Sequence, residues 1–124
     1  MYELPLFPLE TVLFPGTPLR LHIFEERYKR MINLCIHTGH PFGVVLIRQG
    51  VEALGALATP YLIGCSAQIL QVQHLSEGRM NIAATGQERF HILSLDNQSH
   101  PYLVGYVEPF PQLKQQGVRF RARL

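Results

Sequence analysis

The sequence predicts a mainly β domain of the α+β class, a small barrel of about six to seven mostly antiparallel strands with one α-helix over about residues 25–37. Three observations predict it. Short apolar runs of β-branched and aromatic residues recur with turn residues between them. Only one stretch changes to the helical period. Strands packed this closely around a single helix leave no room for alternating βα units and favour an antiparallel barrel.

The opening Leu4-Pro5-Leu6-Phe7-Pro8-Leu9 carries two prolines three residues apart. Strand donors alternate sides, so the two missing N–H groups fall on opposite edges and exclude a fully paired central strand. Pairing is therefore expected from about Leu9 to Phe14, with Pro15-Gly16 as the closing turn. Leu19, Leu21 and Ile23 alternate with Arg20, His22 and Phe24 as in a half-buried strand.

From Glu25 the spacing of Tyr28, Met31, Ile32 and Cys35 is helical, with Arg27, Lys29, Arg30 and Asn33 on the other face. Glu25 and Glu26 complement the positive end of the macrodipole and His37 the negative end. Gly39 terminates the helix and Pro41 bars its continuation.

Phe42 to Ile47 reads as a strand buried on both faces. Gln49 to Gly64, rich in Gly, Ala and Pro, reads as a long loop with a partial strand near Leu54 to Thr59. Ser66–His74 and Arg79–Thr85 form a hairpin about the turn Leu75-Ser76-Glu77-Gly78. Gly86 is expected to break the run before a further strand, Arg89–Leu95. Tyr102–Glu108, after the turn residues Asp96 to Pro101, completes the set.

Apolar residues make up 47% of the 124 and charged residues 16%, which supports a packed core and excludes disorder as the default. No apolar run reaches the roughly 20 residues of a membrane span, and Met1-Tyr2-Glu3-Leu4 lacks the start of a signal peptide, so a cytoplasmic protein is expected. Residues 1–111 hold seven basic and nine acidic side chains, a net of −2. Residues 112–124 hold four basic and no acidic ones. The body has no electrostatic reason to seek nucleic acid.

Four blocks, Leu4 to Tyr28 with its Phe14-Pro15-Gly16 turn, Gly64-Cys65-Ser66-Ala67-Gln68-Ile69-Leu70, Ser76-Glu77-Gly78-Arg79-Met80-Asn81-Ile82 and Gly86-Gln87-Glu88-Arg89-Phe90-His91-Ile92, stand in the order and spacing of a known family. Together they resemble the N-terminal, substrate-binding domain of ATP-dependent Lon proteases over residues 4 to about 111. The resemblance implies a PUA-like pseudobarrel, here residues 1–111, and a role in gripping unfolded or partner polypeptides without chemistry. It leaves room for a homodimer. The family's β-lobe usually continues into helices, whereas residues 112–124 read as a basic tail whose Val118 to Leu124 alternates with period two. PUA-like barrels also occur in RNA-binding proteins, so a nucleic-acid module is the alternative, with the tail as its contact.

Catalytic signatures do not assemble. Gly50 and Gly55 have the spacing of a phosphate loop, but Ala56 and Leu57 stand where its Lys and hydroxyl belong. Lys29 and Lys114 are the only lysines, and neither offers a buried base to Ser66, Ser76, Ser94 or Ser99. His37 and His40 flank a helix end with no carboxylate near in sequence, and His22, His74, His91 and His100 are scattered, so no metal is expected. Cys35 and Cys65, thirty residues apart, read as buried free thiols. Glu25 and Glu26 point about 100° apart on a helix and do not make an acid–base pair. Arg79 and Arg89 are read as surface pairs or loop contacts. Neither a catalytic residue nor a cofactor is expected. The remaining candidate is apolar surface: Phe14, Tyr61, Leu62, Ile63 and Phe110, taken together as a patch for extended apolar polypeptide.

Overall fold

A computed structural model describes residues 1–46 and 63–110. The elements are β1 (Tyr2–Leu9), β2 (Pro18–Ile23), α1 (Glu26–Thr38), β3 (Phe42–Leu46), β4 (Ile63–His74), a short 3₁₀ turn (Ser76–Gly78), β5 (Met80–Asp96) and β6 (Val104–Pro109). The expected partial strand near 54–59 and the tail 112–124 lie outside the described residues. So does Ile47.

The sheet runs β2-β5-β4-β3-β1-β6, and a further β5–β6 pairing closes β1, β3, β4, β5 and β6 into a ring with β2 attached outside. Every pairing is antiparallel except β1 with β3. The predicted mainly β barrel with one helix is the observed architecture.

Three strand assignments differ from expectation. The first strand is Tyr2–Leu9 rather than Leu9–Phe14. It admits both prolines because it changes partners between them, pairing β6 through Tyr2–Pro5 and β3 through Leu6–Leu9. The Leu6 N–H donates to Leu103 O on the β6 side. By alternation Pro8 also faces that side, past the last β6 partner, and Pro5 faces the β3 side before pairing there begins. Each missing donor falls where no strand asks for it.

The second difference is Gly86, which does not break the chain: β5 runs through it for 17 residues. Register shifts opposite Cys65–Ala67, Ile69–Gln71 and within Ile92–Ser94 bend the long strands so that β5 can serve β2, β4 and β6 in turn. Strand β4 also begins at Ile63, inside the expected loop.

The helix forms as its spacing requires. Met31, Ile32 and Cys35 are buried, Glu26 occupies the first turn and His37 the last, and Gly39 adopts φ 74° with its N–H on Cys35 O. Burying such side chains contributes roughly 1.5–3 kcal/mol each. Tyr28 stacks on Phe7 at 4.3 Å between centroids. The Lys29 ammonium reaches Glu26 at 3.0 Å and donates to the Glu77 carbonyl at 2.7 Å, tying the helix to the β4–β5 turn.

Strand β3 shows why there are two core layers. Phe42 and Val44 face the helix side, while Val45 faces the barrel interior with Leu4, Leu6, Phe90, Ile92 and Val107. The interior is small and Phe90 fills it. A Cβ at Gly43 would stand 2.9 Å, and one at Gly64 2.6 Å, from the tip of the Phe90 ring. These glycines are there for space.

Candidate functional site

The segment Phe14-Pro15-Gly16-Thr17 folds as a tight turn. The Phe14 carbonyl accepts the Thr17 N–H at 3.0 Å, and Gly16 takes φ 83°. Proline second and a left-handed glycine third are the residues a type II turn requires. The turn is clamped to the middle of β5: Gly16 N–H donates to Gly86 O at 2.8 Å and Gly86 N–H to Thr17 O at 2.9 Å. The approach is so close that a Cβ on Gly86 would lie 2.2 Å from Phe14 O. Contrary to expectation, this turn does not close the first strand; it holds Phe14 over the barrel.

Opposite stand the end of β3 and the start of β4, paired through Val45–Gly64 and Val44–Cys65. Between the two walls runs a groove of about 210 Å³, lined by Thr11, Val12, Leu13, Phe14, Val44, Leu46, Ile63, Gly64, Cys65 and Arg89. Leu13 and Val44 belong to the core beneath it. Along its rim Phe14 is 56% exposed, Val12 54%, Leu46 38% and Ile63 37%. Four large apolar side chains facing water around one groove form a surface that gains by being covered.

Of the five expected site residues, Phe14 and Ile63 come together here. Phe110 does not: it is buried. His91 meets its ring edge-on at 3.9 Å, and the Arg89 guanidinium stands over it at 5.3 Å. Its place in the sequence, just after a strand, suggested a loop residue, but it folds back on β5, its N–H on Arg89 O. Tyr61 and Leu62 lie outside the described residues. Val12 and Leu46 were missed. Leu46 closes an apolar strand and reads as core, and Val12 falls in a segment taken for strand.

Among the described residues the groove offers no activated nucleophile. Cys65 lies at its floor, and burial pushes its thiol up, an effect opposed in part by a Gln87 N–H and by Arg89. Cys35, buried under the helix, is raised to about 11 by the same desolvation. Ser66 is buried and spent on structure, its hydroxyl donating to Glu88 O at 3.3 Å and accepting the Glu88 N–H at 3.2 Å. Arg79 donates twice to Ser76 and stabilises the hairpin turn. His37 caps the helix end through Asn33 O, and His22 joins an exposed chain with Asn81 and Gln73. Among the described residues no three His, Cys, Asp or Glu side chains are placed to hold a metal ion, and no helix is long and apolar enough to cross a membrane.

Known proteins match this chain in sequence and fold. Lon protease 1 of Hydrogenovibrio crunogenus is 26% identical over 112 residues, which are 88% of this chain and 14% of that protein. The crystal structure of a Lon N-terminal domain protein from Xanthomonas campestris superposes with a TM-score of 0.72 at 31% identity, covering 88% of this chain and 60% of that one. The N-terminal domain of Mycobacterium avium complex Lon protease shares the fold, with a TM-score of 0.64 at 17% identity over 88% of this chain and 55% of that one. The chain thus spans about a seventh of the curated Lon relative and somewhat over half of the solved domains. Residues 3–120 match the model of the ATP-dependent protease La (LON) substrate-binding domain, and the chain belongs to that family.

Proposed function

We propose that this domain is a non-catalytic, cytoplasmic recognition module that binds unfolded or partner polypeptide in the groove between the Phe14 turn and the β3–β4 edge. The observation that carries this reading is the convergence of Val12, Phe14, Leu46 and Ile63, all partly exposed, around a single apolar groove. Membership of a substrate-binding family supports it. An extended segment would lay alternate apolar side chains against the rim, giving weak binding that tolerates salt.

The magnitude follows from exposure. Fully burying a phenylalanine is worth roughly 1.5–3 kcal/mol. Phe14 has 56% of its surface left to cover, so its truncation removes roughly 1 kcal/mol of binding, about a fivefold weakening. With reduced, alkylated lysozyme as the unfolded probe, Phe14→Ala should weaken binding by about that factor and leave the urea midpoint unchanged. Equal binding by the variant would dismiss the groove as the contact.

A further inference from the structure

Most of the described residues that line the groove are apolar, Thr11 and Arg89 being the polar side chains among them. Arg89 is the single charged residue among the described residues that line it. Its guanidinium rests over Phe110, whose ring His91 meets edge-on. Among the described residues no carboxylate forms an ion pair with Arg89. Its charge is nevertheless felt at the groove floor, where it opposes the upward shift of the Cys65 thiol. At about 210 Å³ the groove is smaller than the roughly 300–1,000 Å³ of sites that enclose a whole small molecule. It suits the side chains of a short segment.

A guanidinium presents donors in a planar fork that matches a carboxylate through two parallel hydrogen bonds. A carboxylate set beside one or two apolar side chains, with no chain continuing past it, is the chemistry of a polypeptide's C-terminus. We propose that the groove takes the apolar C-terminal end of a polypeptide, with its last side chains against Phe14, Leu46 and Ile63 and its α-carboxylate on Arg89. This rests on the groove being the polypeptide-binding surface. It adds that chain ends are preferred to internal segments.

The test uses the full chain and two N-terminally labelled hexapeptides, Gly-Ser-Gly-Ser-Leu-Val as free acid and as carboxamide, with binding read by fluorescence anisotropy. The free acid should bind about tenfold more tightly, and that advantage should shrink with added salt while carboxamide binding stays constant. Arg89→Gln should erase the preference without changing carboxamide binding. Arg89→Lys, which keeps the charge but loses the fork, should retain part of it. Because Arg89 is exposed, neither substitution should disturb folding, which urea unfolding checks. Equal binding of acid and carboxamide by the unaltered protein overturns the carboxylate assignment and leaves the groove reading standing. If neither peptide binds, and Phe14→Ala does not change binding to unfolded protein, both fall together.

Discussion

Substituting Gly86 by alanine tests the link between the fold and the groove. A Cβ there would lie 2.2 Å from Phe14 O, 3.0 Å from Phe14 C and 3.2 Å from Leu13 Cγ. The first two are backbone atoms, which cannot rotate away as a side chain can. Restoring ordinary contact requires the turn to retreat by roughly 1 Å, stretching the bonds Gly16 N–H to Gly86 O and Gly86 N–H to Thr17 O, now 2.8 and 2.9 Å, past useful range. Overpacking costs about 1–3 kcal/mol, and two weakened hydrogen bonds add about 0.5–1.5 kcal/mol each. The smaller unfolded-state entropy of alanine returns about 0.4–1 kcal/mol. The net loss is about 1–5 kcal/mol, centred on about 3 kcal/mol, which at the centre is a drop of roughly 1–3 M in the urea midpoint. With no tryptophan in the chain, far-ultraviolet circular dichroism is the probe. Gln87→Ala, at an exposed neighbour, should stay within about 0.5 kcal/mol. A loss below about 1 kcal/mol for Gly86→Ala would refute the reasoning, because the clamp would then be soft and the position of Phe14 unfixed.

Other consequences follow from the same geometry. Ser66→Ala removes both partners of the Glu88 main chain at the bulge and should cost roughly 1–3 kcal/mol in urea unfolding, since the N–H is left without its acceptor. The thiols of Cys35 and Cys65 are both raised by burial in the folded state. The unfolded chain therefore releases their protons first as pH rises; the contribution of Cys35 is complete below about pH 9 and is lost toward about pH 11, and Cys65 acts in the same direction. Urea midpoints measured across that interval should fall with pH, and substituting both cysteines by alanine should lessen the slope, the remainder coming from the phenols of Tyr2, Tyr28 and Tyr102, which burial also raises.

Much of the fold is legible in the sequence where one force decides the outcome. The helix is such a case: apolar spacing, acidic start, Gly39 and Pro41 all agree, and the observed boundaries differ by a residue. Strands β2 and β3 follow from simple alternation or an unbroken apolar run. The prolines of β1 bar full pairing on both sides, but a strand that changes partners between Pro5 and Leu6 satisfies that condition, and nothing local announces the change. Gly86 misleads for a similar reason. A glycine that makes room for a distant backbone carries the same local signal as one that ends a strand. The site was half legible: Phe14 and Ile63 are large apolar residues next to turns, but Phe110 has the same signature and is buried. Tertiary packing alone separates them. Val12 and Leu46 gave no sign, because their exposure arises from where β1 stops and β3 ends.

The most direct test of the central claim is residue-resolved chemical-shift mapping of the labelled domain titrated with an unfolded polypeptide. Perturbations should concentrate at Val12, Phe14, Leu46, Ile63 and Arg89, with the polar face around His22, Gln73 and Asn81 unmoved. Perturbations centred on that polar face, or spread evenly over the barrel, would contradict it.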